Sequence, residues 1–231
     1  MAMIITFIKM NSKSTKKIKI VIYGTGGCGI DFLWTIKDCN KKSKQFEVIG
    51  FLNDDKKMKG KTVSGYPVLG GMNWFSTKEA KNVQCVVAIA DPRNRKKIVE
   101  KLEKKGIKFP TIIHPSVIFS KFKEIGEGVV IQAGCILGPE TSLANHVQIN
   151  MDCTIGHGSR LENYVTLATG VHVNGDNCLG EGAFVGTGVV TKEKITIGKW
   201  AIVAGGSCAI RNLKEYRMYA GVPAKMKKTL K

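Results

Sequence analysis

Between Ile125 and Val203 an apolar side chain returns every six residues: Ile125, Ile131, Leu137, Leu143, Ile149, Ile155, Leu161, Leu167, Val173, Leu179, Val185, Thr191, Ile197 and Val203. Thirteen of these fourteen positions are aliphatic, Thr191 being the exception, and glycine follows directly at Gly126, Gly138, Gly156, Gly180, Gly186 and Gly198. Neither the roughly 3.6-residue period of a helix nor the two-residue period of a strand gives this spacing. A six-residue repeat fits a parallel β-helix, in which each side is a short strand plus a turn and each aliphatic residue points into a shared core. Three sides make a coil of eighteen residues, so residues eighteen apart in sequence stack on one another.

Residues 18–110 follow another pattern. "IKIVIYG", "FEVIGFLND" and "VQCVVAIA" are apolar runs without alternation and read as buried strands, with "YPVLG" a further strand and "GMNWFS" leading into a loop or short helix. "GIDFLWTIKDCNKK" and "RNRKKIVEKLEKKG" read as amphipathic helices, and "FPTIIHP" as a final strand. Strands alternating with helices predict a doubly wound, Rossmann-like α/β domain around a parallel sheet. The expected organisation is a disordered lead-in over residues 1–17, an α/β domain over 18–110, a β-helix over 111–210 and a C-terminal capping segment over 211–231.

The 26 glycines and 7% aromatic content accord with a turn-rich β architecture. No apolar run approaches the roughly 18–20 residues of a membrane span. The opening "MAMIITFIKM" is too short for a signal-peptide core and lacks a cleavage site. Seven scattered cysteines without a C-x-x-C pair point to buried thiols in a reducing, cytoplasmic setting, not to a disulfide framework or a zinc site. The formal charge of +18 admits nucleic acid, anionic membranes or polyanionic small ligands as partners. The lysine clusters have no interleaved aromatics and no helix-turn-helix or RNA-binding motif, so specific nucleic-acid binding is not expected.

Two stretches carry candidate chemistry. In "GTGGCG", Gly24, Gly26 and Gly29 match G-x-G-x-x-G directly after a strand and at the opening of a helix, with Gly27 in the same loop. Such a loop lets the backbone approach a pyrophosphate at a helix N-terminus. Asp54 and Asp55 end the second strand, where an acidic side chain meets the ribose of a nucleotide. The shortness of the domain favours a single nucleoside diphosphate over a dinucleotide. Arg95, or the nearby Arg93, is a candidate phosphate contact. In "TIGHGSRLENYV", His157 falls two residues after an inward position, so its side chain points out of the coil. The coil spacing puts Gly175 one rung above His157, where a glycine lets a ligand reach the backbone, and Asp176 one rung above Gly158. His114, before a proline at the domain junction, reads as a packing or capping residue, and His146 and His172 as surface or interface residues. No H-x4-H pair exists, so no metal site is expected.

The six-residue repeat, the preceding domain with "YGTGGCG", the segment "NMDCTIGHGSRLENYVTLATG" and the terminal "GVPAK" together resemble the NeuD/PglD-like sugar acetyltransferases over residues 18–226. The resemblance implies a left-handed β-helix assembled as a homotrimer, with active sites between neighbouring subunits. It implies acetyl-CoA as co-substrate, no metal, and N-acetylation of a UDP-linked 4-amino-4,6-dideoxy sugar in glycan biosynthesis. The alternatives are an O-acetyltransferase of the sialic acid type and a nucleotide-sugar-binding scaffold with weak catalysis. The family's catalytic histidine falls on His157, which accepts the proton of the attacking amine, and an asparagine that orients the sugar falls on Asn150. Gly175 falls on a CoA-contacting position and its N–H is the expected oxyanion donor. Gly24, Gly26 and Gly27 fall on the pyrophosphate and Asp54, with Asp55, on the uracil. Ala204, Gly205, Gly206 and Lys225 fall along CoA. Three positions depart from the family. Gly158 stands where an acidic residue usually follows the histidine, Thr166 where some members have a second histidine, and Cys28 where the nucleotide loop commonly has one. Asp176 is the expected substitute for the missing carboxylate.

Overall fold

In a computed structural model, residues 17–119 and 123–230 are described; most of the expected lead-in lies outside them. The N-terminal unit is built on β1 (Ile18–Tyr23), followed by α1 (Gly27–Lys42), β2 (Phe46–Leu52), β3 (Thr62–Val63), β4 (Tyr66–Gly70), β5 (Gln84–Val87) and α2 (Pro92–Glu103). The sheet order is β3-β4-β2-β1-β5, parallel throughout except for the edge hairpin of β3 with β4. Alternate residues of β1 serve different cores. Ile20 and Ile22 pack with Phe32, Leu33 and Ile36 of α1, while Val21 and Tyr23 pack with Val99 and Leu102 of α2. Both faces of the strand are therefore apolar, which is why its sequence shows no alternation.

"FPTIIHP" does not complete this sheet. Ile112–Ile113 pairs in parallel with Val130–Ile131 and becomes the first rung of the second unit. A short apolar run beside a buried sheet has no local feature that says which sheet it joins; here the pairing with the next coil decides.

The second unit is a left-handed parallel β-helix. Two-residue strands stack in register one coil apart, Gln148 with Thr166, Thr154 with His172 and Arg160 with Cys178. These pairings define three faces. The first runs upward from Ile112–Ile113, the second from Ile118–Phe119 and the third from Glu124–Ile125. Corners join the first face to the second, the second to the third and the third back to the first. At each corner one residue takes a left-handed φ near +60°, every sixth position from Gly128 to Gly206, including Glu140, His146, Asp152, Tyr164, Asp176, Lys194 and Trp200. The inward residues from Ile131 to Val203 are at most 3% exposed, Thr191 among them. Ile125, at the lower end with no coil beneath it, is 37% exposed. A hairpin of Arg217–Ala220 and Lys225–Thr229 extends the first face at the upper end.

The α/β unit covers the first face and the corner between the third and first faces. There His146 is stacked on Tyr164 one coil above, with centroids 5.3 Å apart and planes at 9°, and lies edge-on to Phe109 at 4.9 Å. It is 4% exposed, and Nε2 is 4.0 Å from a carboxylate oxygen of Glu103, a half-exposed side chain. Burial first, and the Arg95 charge second, push the imidazole down to about 4. At intermediate pH the unfolded chain therefore binds a proton that the folded chain refuses. Stability is full above about pH 6.5 and declines as pH falls toward about 4, by up to about 3 kcal/mol. In urea unfolding at about pH 7.5 and about pH 4.5, His146→Phe is expected to lose clearly less stability on acidification than the wild type.

Candidate active site

The second corner, between the second and third faces, brings together the three residues that the repeat spacing singles out. Thr154–Ile155 ends the second face below it, and Arg160–Leu161 starts the third. His157 projects from the turn between them, with 69% of its side chain exposed. Gly175 lies one rung above, where a Cβ would fall 2.6–3.0 Å from three atoms of the imidazole ring. Only glycine lets the ring lie flat against the backbone there. The Gly175 N–H finds no acceptor among the described residues.

Asp176 takes the left-handed turn position with φ 57°, and its carboxylate occupies the room above Gly158. A Cβ on Gly158 would come within 2.2 Å of Asp176 Oδ1. The other oxygen, Oδ2, is 3.8 Å from His157 Nε2. That is too long for a hydrogen bond but close enough for ion pairing when the imidazole is protonated. The glycine after the histidine and the carboxylate one coil on are thus spatially complementary: a side chain at residue 158 and the present Asp176 would compete for one volume.

Asn150 stands elsewhere. It follows the first face at the first corner, and Ala204 lies three coils above it with Gly205 beside it. Lys225, at the start of the second strand of the terminal hairpin, is exposed and pairs with Ala220. Within one chain, then, the candidate site residues divide between two corners.

In the nucleotide loop the glycines divide by role. Gly24, with φ 121°, would put a Cβ 2.5 Å from the Ala88 carbonyl oxygen, and Gly29 would put one 2.0 Å from that of Gly24. Both are required by packing. Gly26 and Gly27 are exposed, with nothing within 4 Å of a Cβ, so this part of the loop is open to a ligand. The loop is tethered by Asn53 Nδ2, which donates to Thr25 Oγ1 at 2.6 Å. Cys28 turns inward against the α1 core, and burial pushes its thiol up to about 12. Asp54 accepts from the Tyr23 hydroxyl through one oxygen and from the Met72 N–H at 2.8 Å through the other. Asp55 caps a short turn by accepting from the Lys57 N–H at 2.9 Å. Both acidic residues are exposed, and both also shape the loops at the open end of the sheet.

Arg95 departs from the sequence reading. It is 1% exposed and its guanidinium donates to the carbonyls of Ile89 and Tyr164, to Gln148 Oε1 at 2.9 Å and to Thr166 Oγ1 at 2.9 Å. It joins the α/β unit to the first face and cannot meet a phosphate at the surface. Thr166 is part of that joint. Sequence reasoning missed a further group, Ser159 and Asn177, which are buried behind His157. The interruption of the aliphatic series at Thr191, to which Asn177 donates, was the available signal.

Residues 19–102 match the PglD N-terminal domain family. The acetyltransferase domain of PglB from Neisseria gonorrhoeae FA1090, solved in complex with acetyl coenzyme A, is 25% identical with a TM-score of 0.83, over 92% of this chain and 100% of that one. PerB from Caulobacter crescentus, in complex with CoA and GDP-perosamine, is 28% identical with a TM-score of 0.83, over 93% and 99%. The α/β unit matches the PglD N-terminal domain family, and the chain as a whole has the architecture of NeuD/PglD-like sugar acetyltransferases. WeeI from Acinetobacter baumannii AYE is a further similar structure, 27% identical with a TM-score of 0.81, over 90% and 99%. These likenesses span both units of this NeuD/PglD-like chain, so its order of α/β domain and β-helix is that of the family.

Proposed function

We propose that the protein transfers an acetyl group from acetyl-CoA to the amine of a nucleotide-linked amino sugar, a UDP-linked 4-amino-4,6-dideoxy sugar in the finer reading. The observation that carries this is the second corner, where His157 lies flat on Gly175 with a carboxylate 3.8 Å from its Nε2. As the amine nitrogen bonds to the thioester carbonyl carbon, His157 takes its proton and the Gly175 N–H meets the oxygen that becomes negative. The C–S bond then breaks and the departing thiolate is protonated. Asp176 steadies the imidazolium in between. Gly26 and Gly27 leave room for a pyrophosphate at the start of α1.

PerB is described with GDP-perosamine, so the acceptor panel includes UDP- and GDP-linked 4-amino sugars beside free sialic acid. Thiol release with a UDP-amino sugar supports the finer reading, and with a GDP-amino sugar alone it leaves the N-acetyl transfer and replaces the nucleotide. Release with free sialic acid only identifies an O-acetyltransferase. Binding of nucleotide sugar without release with any acceptor identifies a scaffold.

A homotrimer is part of the proposal. The first face lies under the chain's own α/β unit, and the second corner is opposite that face. A sugar held by the nucleotide loop of one chain therefore meets His157 of another more readily than its own. The second face suits such packing, since its outward Ile118, Ile136 and Val190 are 63%, 47% and 39% exposed. Ile136→Glu is expected to give a monomer by light scattering and to lower acetyl transfer at least about tenfold. A trimer of unchanged activity in that variant would remove the second face from the interface.

A further inference from the structure

The three corners of the β-helix repeat one backbone but are not filled alike. At the same depth in the turn the third corner carries Val147 and Val165 and the first carries Cys153 and Val171. The second corner, which holds His157, carries Ser159 and Asn177, 0% and 2% exposed. Both reach a single carbonyl, that of Asn174. Ser159 Oγ donates to it at 3.0 Å and Asn177 Nδ2 at 3.1 Å. The same Nδ2 donates to Thr191 Oγ1 at 2.6 Å, and Thr191 Oγ1 accepts the Asn174 N–H at 3.0 Å. Asn177 Oδ1 accepts from the Ile195 N–H at 2.8 Å, which fixes the orientation of its amide. Thr191 is the one break in the aliphatic series, and this contact explains it.

The consequence follows from the planarity of the peptide. In a trans peptide the C=O and the next N–H point in opposite directions. With the Asn174 carbonyl drawn into the coil by two buried donors, the Gly175 N–H is turned out toward the space beside His157. We propose that Ser159, Asn177 and Thr191 are positioning residues that aim the Gly175 N–H at the acyl oxygen during transfer. The proposal rests on the reading of His157 and Gly175 given above. Polar groups at this depth are costly unless paired. At the first corner one weak thiol donor meets each equivalent carbonyl, Cys135 Sγ that of Asn150 and Cys153 Sγ that of Ala168, both at 3.1 Å; among the described residues the second corner alone sets a hydroxyl and an amide on one carbonyl. The network's place at the catalytic corner is what a positioning role requires.

The test uses the full-length chain, acetyl-CoA and whichever amino sugar supports turnover. Ser159→Ala removes one donor and leaves Asn177 on the Asn174 carbonyl, so the fold is retained; Thr191→Val removes the acceptor. Each is expected to lower kcat about 10-fold, the pair together about 10²-fold, within the loss seen when an oxyanion donor is removed outright. KM for both substrates should stay within about twofold. Ser159→Thr, which keeps the hydroxyl, should restore kcat to near the wild-type value. Val147→Ala, at the same depth of the third corner, should lower the melting midpoint and leave kcat unchanged. A lowered melting midpoint with unchanged kcat in Ser159→Ala and Thr191→Val would overturn the proposal and make the network structural. If His157→Asn is as active as the wild type, the reading of the site itself fails, a result separable from failure of the network.

Discussion

His157→Asn is expected to lower kcat/KM for acetyl transfer by about 10²–10⁴-fold, the range for loss of a general base. Asparagine is polar and somewhat smaller than histidine, and at a position 69% exposed its cost to folding is small. What it lacks is a nitrogen that can take a proton near neutral pH. Asp176→Asn should cost far less, about tenfold. Its carboxylate is 46% exposed and stands 3.8 Å from the imidazole, so it acts on the imidazolium through partly screened charge and not through a hydrogen bond. Asparagine tolerates the left-handed turn at residue 176 as well as aspartate does, so the fold should be indifferent to the change. Initial-rate measurements on both variants check the order of the two effects. Full activity of His157→Asn would remove the residue from the reaction, while equal losses would mean that proton acceptance depends on the pair.

Much of this site was legible because the β-helix turns sequence spacing into height. Residues eighteen apart stack, so Gly175 over His157 and Asp176 over Gly158 follow from counting, and the structure has the glycine there flat against the ring. Lateral relations do not follow from counting along one column. Asn150 and His157 are seven residues apart in sequence yet occupy different corners, because one side of the triangle intervenes. Side-chain destinations were less legible still. An arginine at a helix start near a candidate phosphate site reads as a ligand contact, and nothing local to "ADPRNRKK" announces that the first face supplies Gln148 and Thr166 as its partners. Asp54 reads as a base-recognition residue, while the Tyr23 hydroxyl and the Met72 N–H that hold it come from other segments. Thr191 was visible as an anomaly, but its meaning required Asn174 and Asn177 to be brought beside it.

Arg95→Met should destabilise the fold by about 2–4 kcal/mol, because three buried neutral acceptors each lose a donor at about 1–3 kcal/mol while the cost of burying an unpaired charge is relieved. The guanidinium is fully enclosed, and no carboxylate is among the hydrogen-bond acceptors found for it; carbonyl and side-chain oxygens from both units surround it. Burial holds it down to about 10, still charged at neutral pH. Methionine fills part of the volume but strands the Tyr164 carbonyl, Gln148 Oε1 and Thr166 Oγ1, each losing the donor it faces. Gln148 Nε2 to the Val87 carbonyl at 2.8 Å and Thr166 Oγ1 to the Ala90 carbonyl at 3.1 Å survive, so the joint is weakened and not abolished. Arg95→Lys keeps the charge but not the planar fork that reaches both units, and should recover only a small part of the loss. The exposed Lys97→Ala, two residues on, should stay within about 0.5 kcal/mol of the wild type. Calorimetry separates the outcomes. A single transition at lower temperature means that the two units still unfold together, whereas two transitions mean that Arg95 is what couples them. A midpoint unchanged in Arg95→Met would show that the buried fork is compensated elsewhere and does not hold the α/β unit on the first face.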